Sequence, residues 1–168
     1  RFTPPAETAR EGAHLAPGTS WGSIELTNVI GRLAGSDPGA GCLVIGAHYD
    51  SVMGSPGAND NGSGVAAMLE LSRVFAKTHP KRTLRFVAFV NEEPPFFHGH
   101  NMGSLRYARD CHEKGEAIVA MLSLETIGYY SDLPGSQRYP FTVLGRVFPT
   151  TGNFIGFVAN GRSRSLLK

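Results

Sequence analysis

Cys42-Leu43-Val44-Ile45-Gly46-Ala47-His48-Tyr49-Asp50-Ser51 is the stretch whose reading decides the fold. A short apolar run with β-branched residues reads as a strand, and this one ends at a histidine and an aspartate two positions apart. The pattern returns at Leu84-Arg85-Phe86-Val87-Ala88-Phe89-Val90, within a strand expected from Thr83 to Asn91, which delivers Asn91-Glu92-Glu93. It returns again from Ala117 to Ile127, a strand that carries Glu125 in Leu122-Ser123-Leu124-Glu125-Thr126-Ile127. After the first run come Pro56-Gly57-Ala58-Asn59-Asp60-Asn61-Gly62-Ser63-Gly64 and then Val65, Met68, Leu69, Ser72 and Phe75 at helical spacing, which predicts a helix over residues 63–78 buried along one side. Asn61 or Ser63 suits its N-cap, His79-Pro80 closes it, and a second helix is expected from about Asn101 to Cys111. Strand, helix, strand, helix, strand is the α/β pattern: a mixed, mostly parallel sheet flanked by helices, with ligands expected at its carboxyl edge.

Upstream, Ile24 to Ile30 alternates like a strand and Ser36-Asp37-Pro38-Gly39 supplies a turn, so an antiparallel hairpin with the Cys42 strand is expected. Residues 1–20, rich in Pro, Gly, Ala and Thr, read as an irregular arm before a domain over residues 21–168. Downstream, a Pro/Gly-rich loop from Tyr130 to Thr151 precedes a helix expected over Asn153 to Lys168. The 168 residues, 41% of them apolar, fit one domain with its own core. Sixteen basic and fourteen acidic residues are scattered, so neither nucleic acid nor an anionic membrane is an expected partner. No apolar run approaches the ~20 residues of a membrane span. Cys42 and Cys111 lie outside any metal-binding spacing and read as buried free thiols that leave the compartment nearly open.

His48 and Asp50 project to one face of a strand end, where the carboxylate can accept the second imidazole N–H and fix the ring as a metal ligand. Alone, such a triplet is more often a polar pair closing a loop. Asp60 lies in a loop of glycines and asparagines that can bend tightly, and its two oxygens can bridge two cations; an Asx turn capping the helix is the plainer use. Asn61-Gly62-Ser63 also matches the glycosylation acceptor pattern, a weak signal. Glu92 and Glu93, side by side, repel each other unless a cation or proton lies between them. Glu125 is a lone acid in an apolar strand, placed either at an exposed strand end or on a metal. Oxygen ligands with one imidazole suit zinc, with cobalt or manganese as substitutes.

His48-Tyr49-Asp50-Ser51, Gly57-Ala58-Asn59-Asp60-Asn61-Gly62-Ser63-Gly64, Asn91-Glu92-Glu93 and Ser123-Leu124-Glu125-Thr126-Ile127-Gly128-Tyr129 together resemble the co-catalytic dizinc aminopeptidases of metallopeptidase family 28, over roughly residues 24–130. The resemblance implies a zinc-exopeptidase-like three-layer sandwich and an enzyme that removes N-terminal residues from peptides by means of a metal-bound hydroxide. It also implies that His48 and Glu125 hold one zinc, Asp60 bridges both, Glu93 binds the second, Glu92 is the general base and Asp50 orients His48. The family usually carries Asp at the place of Glu125, and often a cis peptide after the bridging aspartate, here Asp60-Asn61. Its last ligand is a histidine from well downstream, and no histidine follows His112. The chain therefore reads as the front portion of a catalytic domain, incomplete on its C-terminal side, with two zinc sites of which the second is incomplete. His98 and His100 are less favoured as substitutes than as residues of an exposed loop. A peptide is the expected partner; a homo-oligomer, a catalytically incomplete binding or dimerisation domain, and a glutaminyl cyclase stand as alternatives.

Overall fold

The computed structural model describes residues 25–167, in two units that divide after Thr126. The first unit contains β1 (Val29–Leu33), β2 (Cys42–His48), α1 (Gly62–Phe75), β3 (Thr83–Phe89), α2 (Gly103–Glu113) and β4 (Ile118–Ser123). Its strands form one sheet in the order β1-β3-β2-β4. β2 runs parallel to both neighbours, with His48 opposite Phe89 and Gly46 opposite Ser123, whereas β1 is antiparallel to β3. This is the mixed, mostly parallel sheet of the sequence reading.

The expected hairpin of β1 with β2 does not form. The connection after β1 is bound to the residues that lead into β3, with Ser36 N–H donating to Pro80 O and Asp37 N–H to Lys81 O, so β3 takes the place between them. β1 also starts later than the alternation indicated, at Val29 instead of Ile24, and Leu26 makes only an isolated bridge. The groups just before it are committed elsewhere: Thr27 O accepts from the Tyr49 hydroxyl, while Asn28 binds Gly103 O and Val90 N through its side chain. Ile24 and the arm over residues 1–20 lie outside the described residues.

Alternation along β2 and β3 divides the core in two. Val44, Val87 and Phe89 pack with Tyr107 and Cys111 of α2, whereas Ile45, Leu84 and Phe86 pack with Met68 of α1 and its neighbours Leu71 and Phe75. Successive strand residues point to opposite faces, so the two helices cover opposite sides and the unit has three layers. Cys42 and Cys111 are free and buried, as the sequence suggested.

Gly103 shows how closely these layers approach. Its N–H donates to Val90 O at 2.8 Å, and a Cβ there would press on Asn28 Oδ1 and lie 2.5 Å from Val90 O. Gly103→Ala is therefore expected to destabilise the domain by ~1–3 kcal/mol, the usual scale of overpacking, as a lowered midpoint in denaturant unfolding would show.

The second unit is built from turns. Ser131 N–H donates to Gly152 O at 2.8 Å and Gln137 N–H to Thr150 O at 2.9 Å, with Tyr139 set against Phe148. A 3-10 turn occupies Thr142–Arg146. The α-helix expected over Asn153 to Lys168 is absent; a 3-10 stretch at Gly161–Leu167 is all the helical structure described there. Gly156, Asn160 and Gly161 disfavour a helix, and Phe154, Ile155, Phe157 and Val158 add aromatic and β-branched side chains that gain little from one.

Candidate metal centre

Because β2 lies between β3 and β4, the residues following these three strands meet along one sheet edge. His48 closes β2 and is buried, 4% exposed. Glu92 and Glu93 follow β3, Glu125 follows β4, and Asp60 arrives from the glycine-rich loop before α1. His48 Nε2 faces Asp60 Oδ1 at 3.1 Å, Glu125 Oε2 at 3.5 Å and Glu92 Oε2 at 3.8 Å. Among the described residues, two sets place their ligand atoms within reach of one ion: His48, Asp60 and Glu125, and His48, Glu92 and Glu93. Glu125 lies beyond its strand, not within it as the apolar run suggested, since β4 ends at Ser123. Leu124 N–H still donates to Gly46 O at 2.8 Å, after which Thr126 takes a positive φ of 45° and turns the chain.

The other imidazole nitrogen, Nδ1, lies 3.0 Å from the Asp50 backbone carbonyl and 3.6 Å from the Asp50 carboxylate. The carbonyl is the closer acceptor, and a proton on Nδ1 leaves the Nε2 lone pair turned to the acids. The Asp50 carboxylate has a further task that sequence reasoning missed: it accepts the N–H of Glu92 at 3.2 Å and of Glu93 at 3.1 Å, fixing the loop that carries both. The Asp60–Asn61 peptide is cis. Asn61 caps α1 through Gly64 N–H and is 1% exposed, so its glycosylation pattern is inaccessible in the fold. His98 and His100 join neither ligand set; His98 rests on Phe97, and His100 Nδ1 meets Arg109 Nη2 at 3.1 Å.

The charges of the cluster act on one another. Burial on its own would lower the His48 pKa, but Glu125, Glu92 and Asp50 together outweigh it and raise the value. Glu92 is pushed up, first by burial and then by Glu125, Glu93 and Asp50, with His48 opposing. Glu125 is likewise raised by burial first and by Asp60 and Glu93, against the pull of His48. Each group resists giving up positive charge or taking on negative charge, which a bound cation would relieve. One imidazole and several carboxylates form the nitrogen-and-oxygen donor set that zinc accepts, so the residues fit that ion.

Fold and site together define a three-layer α/β domain with a histidine–carboxylate cluster, a candidate metal centre, at the carboxyl edge of its sheet. The chain belongs to peptidase family M28, whose model matches residues 28–143. It is 42% identical to Uncharacterized protein YfbL of Escherichia coli (strain K12) over 124 residues, covering 69% of this chain and 38% of that protein. It is 46% identical to Aminopeptidase YwaD of Bacillus subtilis (strain 168) over 107 residues, covering 58% of this chain and 22% of that protein. The solved structure of BSAP, a zinc aminopeptidase from Bacillus subtilis, superposes with a TM-score of 0.53 at 32% identity, covering 67% of this chain and 29% of that one. The chain thus spans well under half the length of these relatives.

Proposed function

We propose that this chain carries the metal centre of a zinc-dependent exopeptidase that removes N-terminal residues from peptides. The observation that carries the reading is His48 Nε2, buried and met by carboxylates from separate chain segments. Its likeness to an aminopeptidase and to a zinc aminopeptidase supports the substrate class and the metal. His48, Asp60 and Glu125 would hold one zinc, and Asp60 and Glu93 would serve a second. Zinc in this position supplies Lewis acidity and makes a nearby water easier to deprotonate. Glu92 Oε2 takes the proton of the attacking water and returns it to the leaving amine, a task suited to a carboxylate that lies beside the His48 ligand position without being needed in the His48–Asp60–Glu125 set. Asp50 keeps Glu92 and Glu93 in place through their backbone N–H groups. The test is metal content of the purified chain together with turnover of aminoacyl-anilides; a chain that binds no zinc and turns over no anilide would overturn the reading.

Two ligand sets share one imidazole nitrogen, and one lone pair serves one ion. Three protein ligands and a water satisfy a catalytic zinc, whereas two carboxylates do so poorly. Titration of the metal-free chain is therefore expected to show unequal sites, with the His48–Asp60–Glu125 position filling first and the Glu93 position weak. Two equally tight sites in the monomer would refute this inequality.

A further inference from the structure

The side chain of Asn61 is among the most deeply buried in the described residues, and its whole hydrogen-bonding capacity is used. Oδ1 accepts from Gly64 N–H at 3.1 Å and from Thr126 N–H at 3.2 Å. Nδ2 donates to Leu124 O at 2.9 Å and to Glu125 Oε2 at 3.3 Å. An amide offers two donors and two acceptor lone pairs, so the four partners also fix which way the group points. Only one of the four, Gly64, belongs to the helix that Asn61 caps; the other three flank or include Glu125, far along the chain. Gly64 is required for this approach, since a Cβ there would press on Asn61 Oδ1 and lie 2.5 Å from Leu124 O.

We propose that Asn61 is a positioning residue that sets the Glu125 carboxylate against His48 and Asp60, joining the two chain segments that supply the first ligand set. The inference deepens the metal reading above and rests on it. Glu125 Oε2 is the oxygen that faces both Asn61 Nδ2 and His48 Nε2, so the amide holds the carboxylate where the imidazole meets it. An N-cap alone would need only the Gly64 contact, which a serine supplies. Holding Glu125 needs a donor of this reach.

Zinc affinity, read by calorimetry on the metal-free chain beside its thermal unfolding, separates the two roles. Asn61→Ser keeps a cap acceptor and loses the donor, and is expected to bind zinc ~10–100-fold more weakly, the usual effect of removing a residue that orients a ligand. In a Glu125→Ala background the same change should have little further effect on affinity, because its route to the metal is already gone. Should the serine variant fail to fold, Asn61→Thr, which likewise keeps a cap acceptor and loses the amide donor without adding charge, takes its place with the same expectation. Zinc affinity equal to that of the unmodified chain, or a full additional loss in the Glu125→Ala background, would overturn the positioning role while leaving the metal reading intact. An unmodified chain that binds no zinc would overturn both.

Discussion

Glu92→Gln should lower peptide hydrolysis by ~10²–10⁴-fold while the zinc content of the chain stays unchanged. The amide keeps the shape of the side chain and cannot accept a proton. The result is informative because the geometry leaves Glu92 three possible roles, as base, as ligand or as bystander: its Oε2 lies 3.8 Å from His48 Nε2, and it shares a potential ligand set with His48 and Glu93. Zinc lost along with activity would make Glu92 a ligand, and activity retained would remove it from the chemistry altogether. Parallel measurement of turnover and metal content decides among the three.

His48→Ala should have the largest effect on metal binding, a loss of more than ~100-fold in zinc affinity, beyond the usual cost of disturbing a residue that merely orients a ligand. His48 belongs to both ligand sets, and each is left with carboxylates alone once the imidazole is gone. Glu93→Ala is the natural comparison, since it touches only the set shared with Glu92 and should leave the tighter position close to normal. A His48→Ala chain that folds and still binds one zinc tightly would show that the centre is not organised around this residue.

That the candidate site residues lie together could be read from the sequence because here the marks of a strand end and of a polar group coincide. An apolar run that breaks off at His48, or at Glu92-Glu93, records both a strand end and a group brought to the sheet edge. The partner of β1 could not be read in this way. Alternation identifies a strand but not its neighbour, and the choice of β3 over β2 depends on hydrogen bonds from Ser36 and Asp37 to residues far along the chain. Asn61 shows the same limit: its local pattern gives the cap, while its bonds to Leu124, Glu125 and Thr126 leave no trace in neighbouring residues. The C-terminal helix was misread because an apolar stretch with glycine and asparagine inside it resembles an amphipathic segment in composition but not in propensity.

The strand order carries a consequence for how the domain is held together. β4 comes last along the chain among the strands, yet it pairs with β2, one of the earliest, and Glu125 reaches His48 only when that pairing is complete. A chain still missing this closure lacks the His48–Asp60–Glu125 set. Zinc held by that set, as proposed above, would therefore favour the sheet with β4 in place and act as a thermodynamic latch on its last strand. At a free concentration a hundred times its dissociation constant, such an ion adds ~2.7 kcal/mol to the native state. On that reading a chelator would lower the stability of the domain, acting first at the β4 edge of the sheet.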